Sequence, residues 1–147
     1  MTNPIPAAHR AALALVLLAP ATLLPEAAHA EPFTLFIYET ASDIALRTDA
    51  TGAGAAYWAG YATFGAEAQA AGILRGGAAL QTDSTAFATL SAAGTNGGAF
   101  VTAPLSLGGY FQIDVPDLAT AELWAAKLPA SGTGAVEIRA GYPVPGM

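Results

Sequence analysis

The 147-residue chain has a formal net charge of −6, no cysteine, and both of its histidines, His9 and His29, within the first 30 residues. The lack of cysteine excludes disulfides, thiolate nucleophiles and cysteine-ligated metals. A chain without its first 30 residues would also lack imidazole for general-base catalysis or for metal binding. The acidic residues are too scattered for a carboxylate metal site, so neither a metal nor a cofactor is expected.

The basic side chains beyond residue 30 are too few and too dispersed to follow a nucleic-acid backbone, so nucleic-acid binding is not expected. They are Arg47, Arg75, Lys127 and Arg139.

Residues 1–30 have the segment order of an export signal. A polar start is followed by an apolar run over residues 11–24, and Ala28 and Ala30 fit the small-residue rule for signal peptidase. The apolar run is shorter than the roughly 20 residues that a membrane-spanning helix needs. We therefore predict cleavage after Ala30, a secreted or periplasmic protein that does not remain in the membrane, and one mature domain over residues 31–147.

The first half of the mature chain predicts a strand, a helix and a second strand. β-Branched and aromatic residues dominate the first strand, and aromatic and small residues at three–four spacing indicate the helix. The pair Gly76-Gly77 suggests a β-bulge inside the second strand or a close backbone approach. The predicted bounds are strand 33–39, loop 40–54 with a helical turn near 42–46, helix 55–71 and strand 73–80.

The second half predicts a hairpin, a strand, a helix and a last strand. Asn96-Gly97 favours the positive φ that hairpin turns need, Asp117 is a natural helix N-cap, and Pro129 ends the helix. The predicted bounds are strand 84–90, turn 93–98, strand 99–102, strand 110–115, helix 118–128, loop 131–134 and strand 135–139.

This order of elements predicts an α+β domain of the ferredoxin-like plan, with two helices on one face of a mostly antiparallel sheet.

Such a sheet leaves its other face without helices. Since a large exposed apolar face is rare on a monomer, we expect this face to pair with another chain.

Several short motifs, in their order and spacing, resemble the YciI-like family, specifically its YCII-related branch, which is named for an Asp-Gly-Pro-Phe (DGPF) motif. The resembling residues are Ile37-Tyr38-Glu39, Tyr61, Phe64, Ala71-Gly72, Gly77, Leu80, Ser84, Ala86, Val101-Thr102, Pro104, Leu107-Gly108-Gly109-Tyr110, Ala125, Pro129 and Val136-Glu137-Ile138-Arg139. The resemblance implies a homodimer in which the open sheet faces pack into an α+β barrel. It also implies a small-molecule pocket near the dimer seam.

The chain departs from the family at both positions that carry candidate catalytic groups. Thr102-Ala103-Pro104-Leu105 stands where the name motif is expected, so the DGPF motif is degenerate. Tyr61 stands where the broader family has a histidine in its helix, as is usual for the YCII-related branch. The resemblance therefore favours a small-ligand-binding or structural module without classical catalytic residues.

Two groups are candidates for catalysis. Tyr61 is either a hydroxyl donor in a pocket or a core tyrosine whose hydroxyl reaches the edge. Glu39 is either a general base, if burial raises its pKa, or a solvated carboxylate at a strand end. Arg75 either binds an anionic group or pairs with Glu39 or Asp83. The predicted ligand-binding residues are Tyr38, Arg75, Thr102 and Tyr110.

Two other functions remain open. A cofactor-free lyase or dehalogenase acting on a small aromatic or hydroxylated compound would use Tyr61, Glu39 and Arg75. An interaction subunit would instead cover the open sheet face with a different chain. An aromatic stripe on the predicted helix, with members Tyr57, Trp58, Tyr61 and Phe64, is more typical of a core than of a ligand cage.

Overall fold

A computed structural model describes residues 29–99 and 104–146. It confirms an α+β domain built on a mostly antiparallel sheet of four strands. The elements in chain order are β1 (Glu31–Glu39), α1 (Ala41–Leu46), α2 (Gly52–Ala70), β2 (Leu74–Ala79), β3 (Ala88–Ser91), β4 (Gly94–Gly97), β5 (Ser106–Val115), α3 (Leu118–Ala125), α4 (Ala130–Thr133) and β6 (Ala135–Ala140).

The main sheet has the order β2-β5-β1-β6, and each neighbouring pair is antiparallel. Strands β1 and β5 are central, with Phe36 opposite Tyr110 in their register. The register of β2 against β5 shifts between Leu74 and Gly76, directly beside the glycine pair where a bulge or a close backbone approach was predicted. Strands β3 and β4 form a separate two-stranded hairpin.

The core lies between one face of this sheet and the helices. Alternate residues of β1 are buried, and the apolar ones among them belong to one cluster with residues of β5, α2 and α3. Phe64 of α2 packs 4.7 Å from Phe111 and 6.1 Å from Trp124, measured between ring centroids. Both long helices therefore pack on the same side of β1, while the intervening residues of β1 remain half-buried on the other side.

Local capping residues explain where α1, α2 and α3 begin. Thr40 and Asp43 form a reciprocal capping box at the start of α1, which confirms the helical turn predicted there. Thr51 caps α2, so this helix begins three residues before the predicted start. Asp117 caps α3 as predicted. The predicted loop 131–134 instead contains most of the short helix α4.

The predicted hairpin is wrong in its turn. Residues 94–97 form strand β4, and the chain reverses at Ala92 and Ala93, so the turn starts one residue before the predicted turn 93–98. Gly94, with φ of +113°, supplies the positive φ that Asn96-Gly97 was expected to supply. The predicted strand over residues 84–90 is reduced to β3, and most of the strand predicted at 99–102 lies outside the described residues.

Candidate functional site

Glu39 ends β1 on the face that the helices cover, and only 1% of it is exposed. It continues the alternation of buried residues through Leu35 and Ile37. The alternative of a solvated strand-end carboxylate is therefore wrong. A buried carboxylate requires hydrogen bonds and a compensating charge, so its partners identify the site.

Two tyrosines of α2, one helical turn apart, donate to the same oxygen of Glu39. The Tyr57 hydroxyl lies 2.5 Å and the Tyr61 hydroxyl 3.0 Å from Oε1. Residues four apart share one helix face, which is why both hydroxyls reach one carboxylate. Tyr61 thus reaches Glu39, the other candidate catalytic residue of the sequence analysis.

Arg47, the residue that follows α1, supplies the compensating charge. Its Nη2 forms an ion pair with Glu39 Oε2, and its Nε donates to the Tyr57 hydroxyl at 3.0 Å. Nη1 and Nη2 also donate to the carbonyls of Leu80 and Gly108, each at 2.7 Å. One guanidinium therefore joins α1, α2, β1, β5 and the end of β2.

Sequence reasoning treated Arg47 only as a dispersed cation. The sequence does contain a sign of its position. Thr40 and Asp43 predict a helix that starts directly after Glu39, and Arg47 lies about two turns into this predicted helix. Which acid this cation would meet depended on the packing of α1 against the sheet, and no pattern in the chain reports that packing.

Gly108 makes room for the ion pair. A Cβ atom built on this residue would overlap both Glu39 Oε2 and Arg47 Nη2. The residue was noted in the sequence only as part of Leu107-Gly108-Gly109-Tyr110. Its structural role is to let the backbone of β5 approach the carboxylate and the guanidinium directly.

A cavity of about 200 Å³ lies against this network, between α2 and the ends of β1, β2 and β5. Most of its wall is apolar. Trp58, which is 41% exposed, forms part of it, and the indole donates to the Arg47 carbonyl at 3.2 Å. The lining residues are Ile37, Glu39, Arg47, Tyr57, Trp58, Tyr61, Gly77, Ala78, Ala79, Gly108, Gly109 and Phe111.

The electrostatics of the network hold both tyrosines in the protonated form. Burial and the hydrogen bond to Glu39 raise the pKa of Tyr57 to about 12. Burial and the charge of Glu39 raise the pKa of Tyr61 well above its usual range. Burial alone would lower the pKa of Arg47, but the Tyr57 hydrogen bond and the Glu39 charge raise it overall. The phenols are therefore hydrogen-bonding groups at neutral pH.

Arg75 lies away from the cavity. Its Nε pairs with Asp114 Oδ2 at 2.6 Å on the surface. The expected partners, Glu39 and Asp83, are wrong because β2 lies beside β5 and Leu74 stands opposite Ile113, which places Asp114 next to Arg75. Asp83 instead accepts hydrogen bonds from Thr85.

The two tyrosines predicted to bind ligand lie on the opposite face of the sheet. Tyr38 and Tyr110 are half-buried there, beside Phe36. Burial and the neighbouring Glu137 raise the pKa of Tyr38. Thr102, the remaining predicted ligand-binding residue, lies outside the described residues.

Within residues 29–99 and 104–146, no group of three or more His, Asp or Glu side chains is placed to hold a metal ion. No helix in this described part of the chain has the length and apolar character needed to cross a membrane.

Comparisons with protein-family models and with curated proteins give no match for this chain.

Proposed function

We propose that this protein is an exported, YciI-like (YCII-related) domain that binds a small neutral molecule in the cavity beside Glu39. The observation that carries the proposal is the position of a buried polar network beside an apolar cavity of about 200 Å³. Ligand pockets in proteins are mostly apolar with a few converging polar groups, as this one is.

The arrangement of the sheet supports the ferredoxin-like part of the proposal. The two central strands, β1 and β5, are each followed by a helix and then by an edge strand, and the order is β2-β5-β1-β6. A split β-α-β arrangement repeated twice has this order. The resemblance to the YciI-like family implies the same plan.

The state of the polar groups favours binding over catalysis. The charge of Glu39 is balanced by Arg47, and both of its oxygens accept hydrogen bonds. Proton abstraction by this carboxylate would break those contacts, and the raised pKa values of Tyr57 and Tyr61 oppose their use as bases at neutral pH.

Binding can be followed through Trp58, one of the two tryptophans of the chain. In a Trp124→Phe background, we expect monocyclic aromatic compounds to change the emission of Trp58 saturably and to raise the melting temperature. Ala79→Phe, which places a ring at the cavity wall, should abolish both effects.

Ala66→Phe is the matched control, because it adds the same ring to an exposed position of α2 that does not line the cavity. This variant should bind like its parent. If no compound of the series gives a saturable signal, or if Ala79→Phe binds as well as Ala66→Phe, the ligand-binding proposal is wrong.

An enzymatic function is the second candidate, because a buried carboxylate and two phenols converge on the cavity. A cofactor-free lyase or dehalogenase would use Glu39 and Tyr61 on a small aromatic or hydroxylated compound. Arg75, which the sequence also suggested for this role, pairs with Asp114 away from the cavity. Incubation of each bound compound with the protein, followed by product analysis, separates the two functions: unchanged compound supports binding alone.

We further propose a homodimer formed through the sheet face opposite the core. Three half-buried aromatic residues, Phe36, Tyr38 and Tyr110, lie on this face, together with Glu137 opposite Phe36 on β6. A second copy of the chain would cover the aromatic groups, and Glu137 is already balanced within its own chain by Arg139 of the same strand.

Light scattering of the mature protein should give twice the monomer mass. Phe36→Lys should give a monomer, because it places a charge in the centre of the proposed interface. Leu123→Lys is the control, since Leu123 is an exposed apolar residue of α3 and should leave the dimer intact. A wild-type monomer at micromolar concentration would exclude the homodimer.

Export to the periplasm or the cell exterior is proposed from the signal-like residues 1–30. Strand β1 begins at Glu31, so cleavage after Ala30 would leave the strand complete. N-terminal sequencing of exported protein should therefore begin at Glu31. An intact Met1 on protein recovered from the cytosol would contradict export.

A further inference from the structure

We propose that the ligand of the Glu39 cavity is a neutral monocyclic compound with a hydroxyl group, such as a phenol, which donates its proton to the hydroxyl oxygen of Tyr61. This inference rests on the proposed ligand-binding function and adds the polarity of the ligand to it. Tyr61 lines the cavity and its hydroxyl accepts no hydrogen bond among the described contacts, while most protons of the network already have acceptors.

The donors of the cavity wall are used within the protein. Tyr57 and Tyr61 both donate to Glu39, and the indole of Trp58 donates to the Arg47 carbonyl. Arg47 uses four of its five N–H groups on Glu39, Tyr57 and two carbonyls. The fifth belongs to Nη1, the nitrogen that already binds the Leu80 carbonyl.

The acceptors have capacity left. A phenolic oxygen can accept as well as donate. The Tyr57 hydroxyl already accepts from Arg47, whereas among the described contacts the Tyr61 hydroxyl only donates. Tyr61 also lines the cavity and is less buried than Tyr57. Of the two tyrosine hydroxyls, that of Tyr61 is therefore the better-placed acceptor for a hydroxyl group of the ligand.

Among the described contacts, only the fifth N–H group of Arg47 has no acceptor assigned, so a ligand that needs a further donor would have to take the proton of Tyr61 from Glu39. That proton lies in a hydrogen bond to a carboxylate, and such bonds are roughly twice as strong as those between neutral groups. A ketone or an ether offers only a neutral acceptor in exchange. The network thus favours a ligand that donates over one that only accepts.

Charge and size restrict the ligand further. Glu39 and Arg47 together carry no net charge, so an anion would meet the carboxylate and a cation the guanidinium, each without a compensating partner. A dry apolar cavity of about 150 Å³ is large enough for benzene. The cavity of about 200 Å³ therefore suits one ring with a small substituent.

The test compares phenol, anisole, toluene and benzoate by Trp58 emission in the Trp124→Phe background. We expect phenol to bind roughly three- to tenfold more tightly than toluene or anisole, which is the usual gain from one neutral hydrogen bond. Benzoate should bind most weakly. In Tyr61→Phe the advantage of phenol over toluene should disappear, while Tyr142→Phe, at an exposed tyrosine, should retain it.

Each outcome has one meaning. If toluene binds as tightly as phenol, or if anisole does, ligand binding stands and the donor inference is wrong. If benzoate binds most tightly, the cavity is an anion site and the inference is also wrong. If none of the four compounds binds, the proposed function itself fails. The comparison among compounds in the parent protein decides the matter even if Tyr61→Phe does not fold.

Discussion

Replacement of Arg47 by methionine is expected to lower the free energy of unfolding by about 3–5 kcal/mol at neutral pH. Methionine has a similar length but no charge, so the variant leaves the Glu39 carboxylate buried without its counterion. It also leaves the carbonyls of Leu80 and Gly108 without their donor. Urea unfolding of parent and variant measures the difference.

Arg75→Met is the matched control, because it removes the same side chain from an ion pair with Asp114 that lies on the surface. Exposed pairs contribute about 1 kcal/mol or less. A double variant, Arg47→Met with Glu39→Gln, should be more stable than Arg47→Met alone, since it removes the uncompensated charge. If Arg47→Met lowers the free energy of unfolding no more than Arg75→Met does, the buried network stabilises the fold no more than a surface ion pair.

The second large effect is expected from Gly108→Ala. The added methyl group would overlap Glu39 Oε2 and Arg47 Nη2, and both atoms are held by other contacts. Inserting a methyl group into a close-packed site costs about 1–3 kcal/mol, and this position should reach the upper end. Because the ion pair must move, binding in the cavity should weaken as well.

Gly65→Ala is the control for this substitution. Gly65 lies within α2, and a Cβ atom there would contact nothing within 4 Å. Alanine is the better helix former, so this variant should gain about 0.5–1 kcal/mol. Thermal and urea unfolding, combined with the Trp58 binding signal, compare the two glycines. A stable, ligand-binding Gly108→Ala protein would contradict the described geometry around Glu39.

The candidate site divides the aromatic stripe of α2 between two roles. Phe64 is a core residue, as its spacing predicted. Tyr57, Trp58 and Tyr61, which lie up to two turns earlier, instead border the cavity. The same helix face therefore contacts the core near its middle and borders the pocket nearer its start, where Gly77 of β2 also lines the cavity.

Sequence alone determined the local structure of most elements. The β-formers before Glu39 specify a strand, the pair Gly76-Gly77 specifies a bulge, and Asp117 specifies a helix start. These features depend on backbone preferences and short-range hydrogen bonds, which a stretch of a few residues carries with it. The position of the hairpin turn was not determined locally. Several residues around Asn96 could form the turn, and strand pairing decided among them.

Only the tertiary structure decided which charges meet. The chain has four arginines and eleven acidic residues, and local sequence could not show that Arg47 pairs with Glu39 and Arg75 with Asp114. The first pair depends on the packing of α1 on the sheet, and the second on the neighbouring positions of β2 and β5. Long-range register and packing set these distances, so the network around Glu39 becomes visible only once the chain is folded.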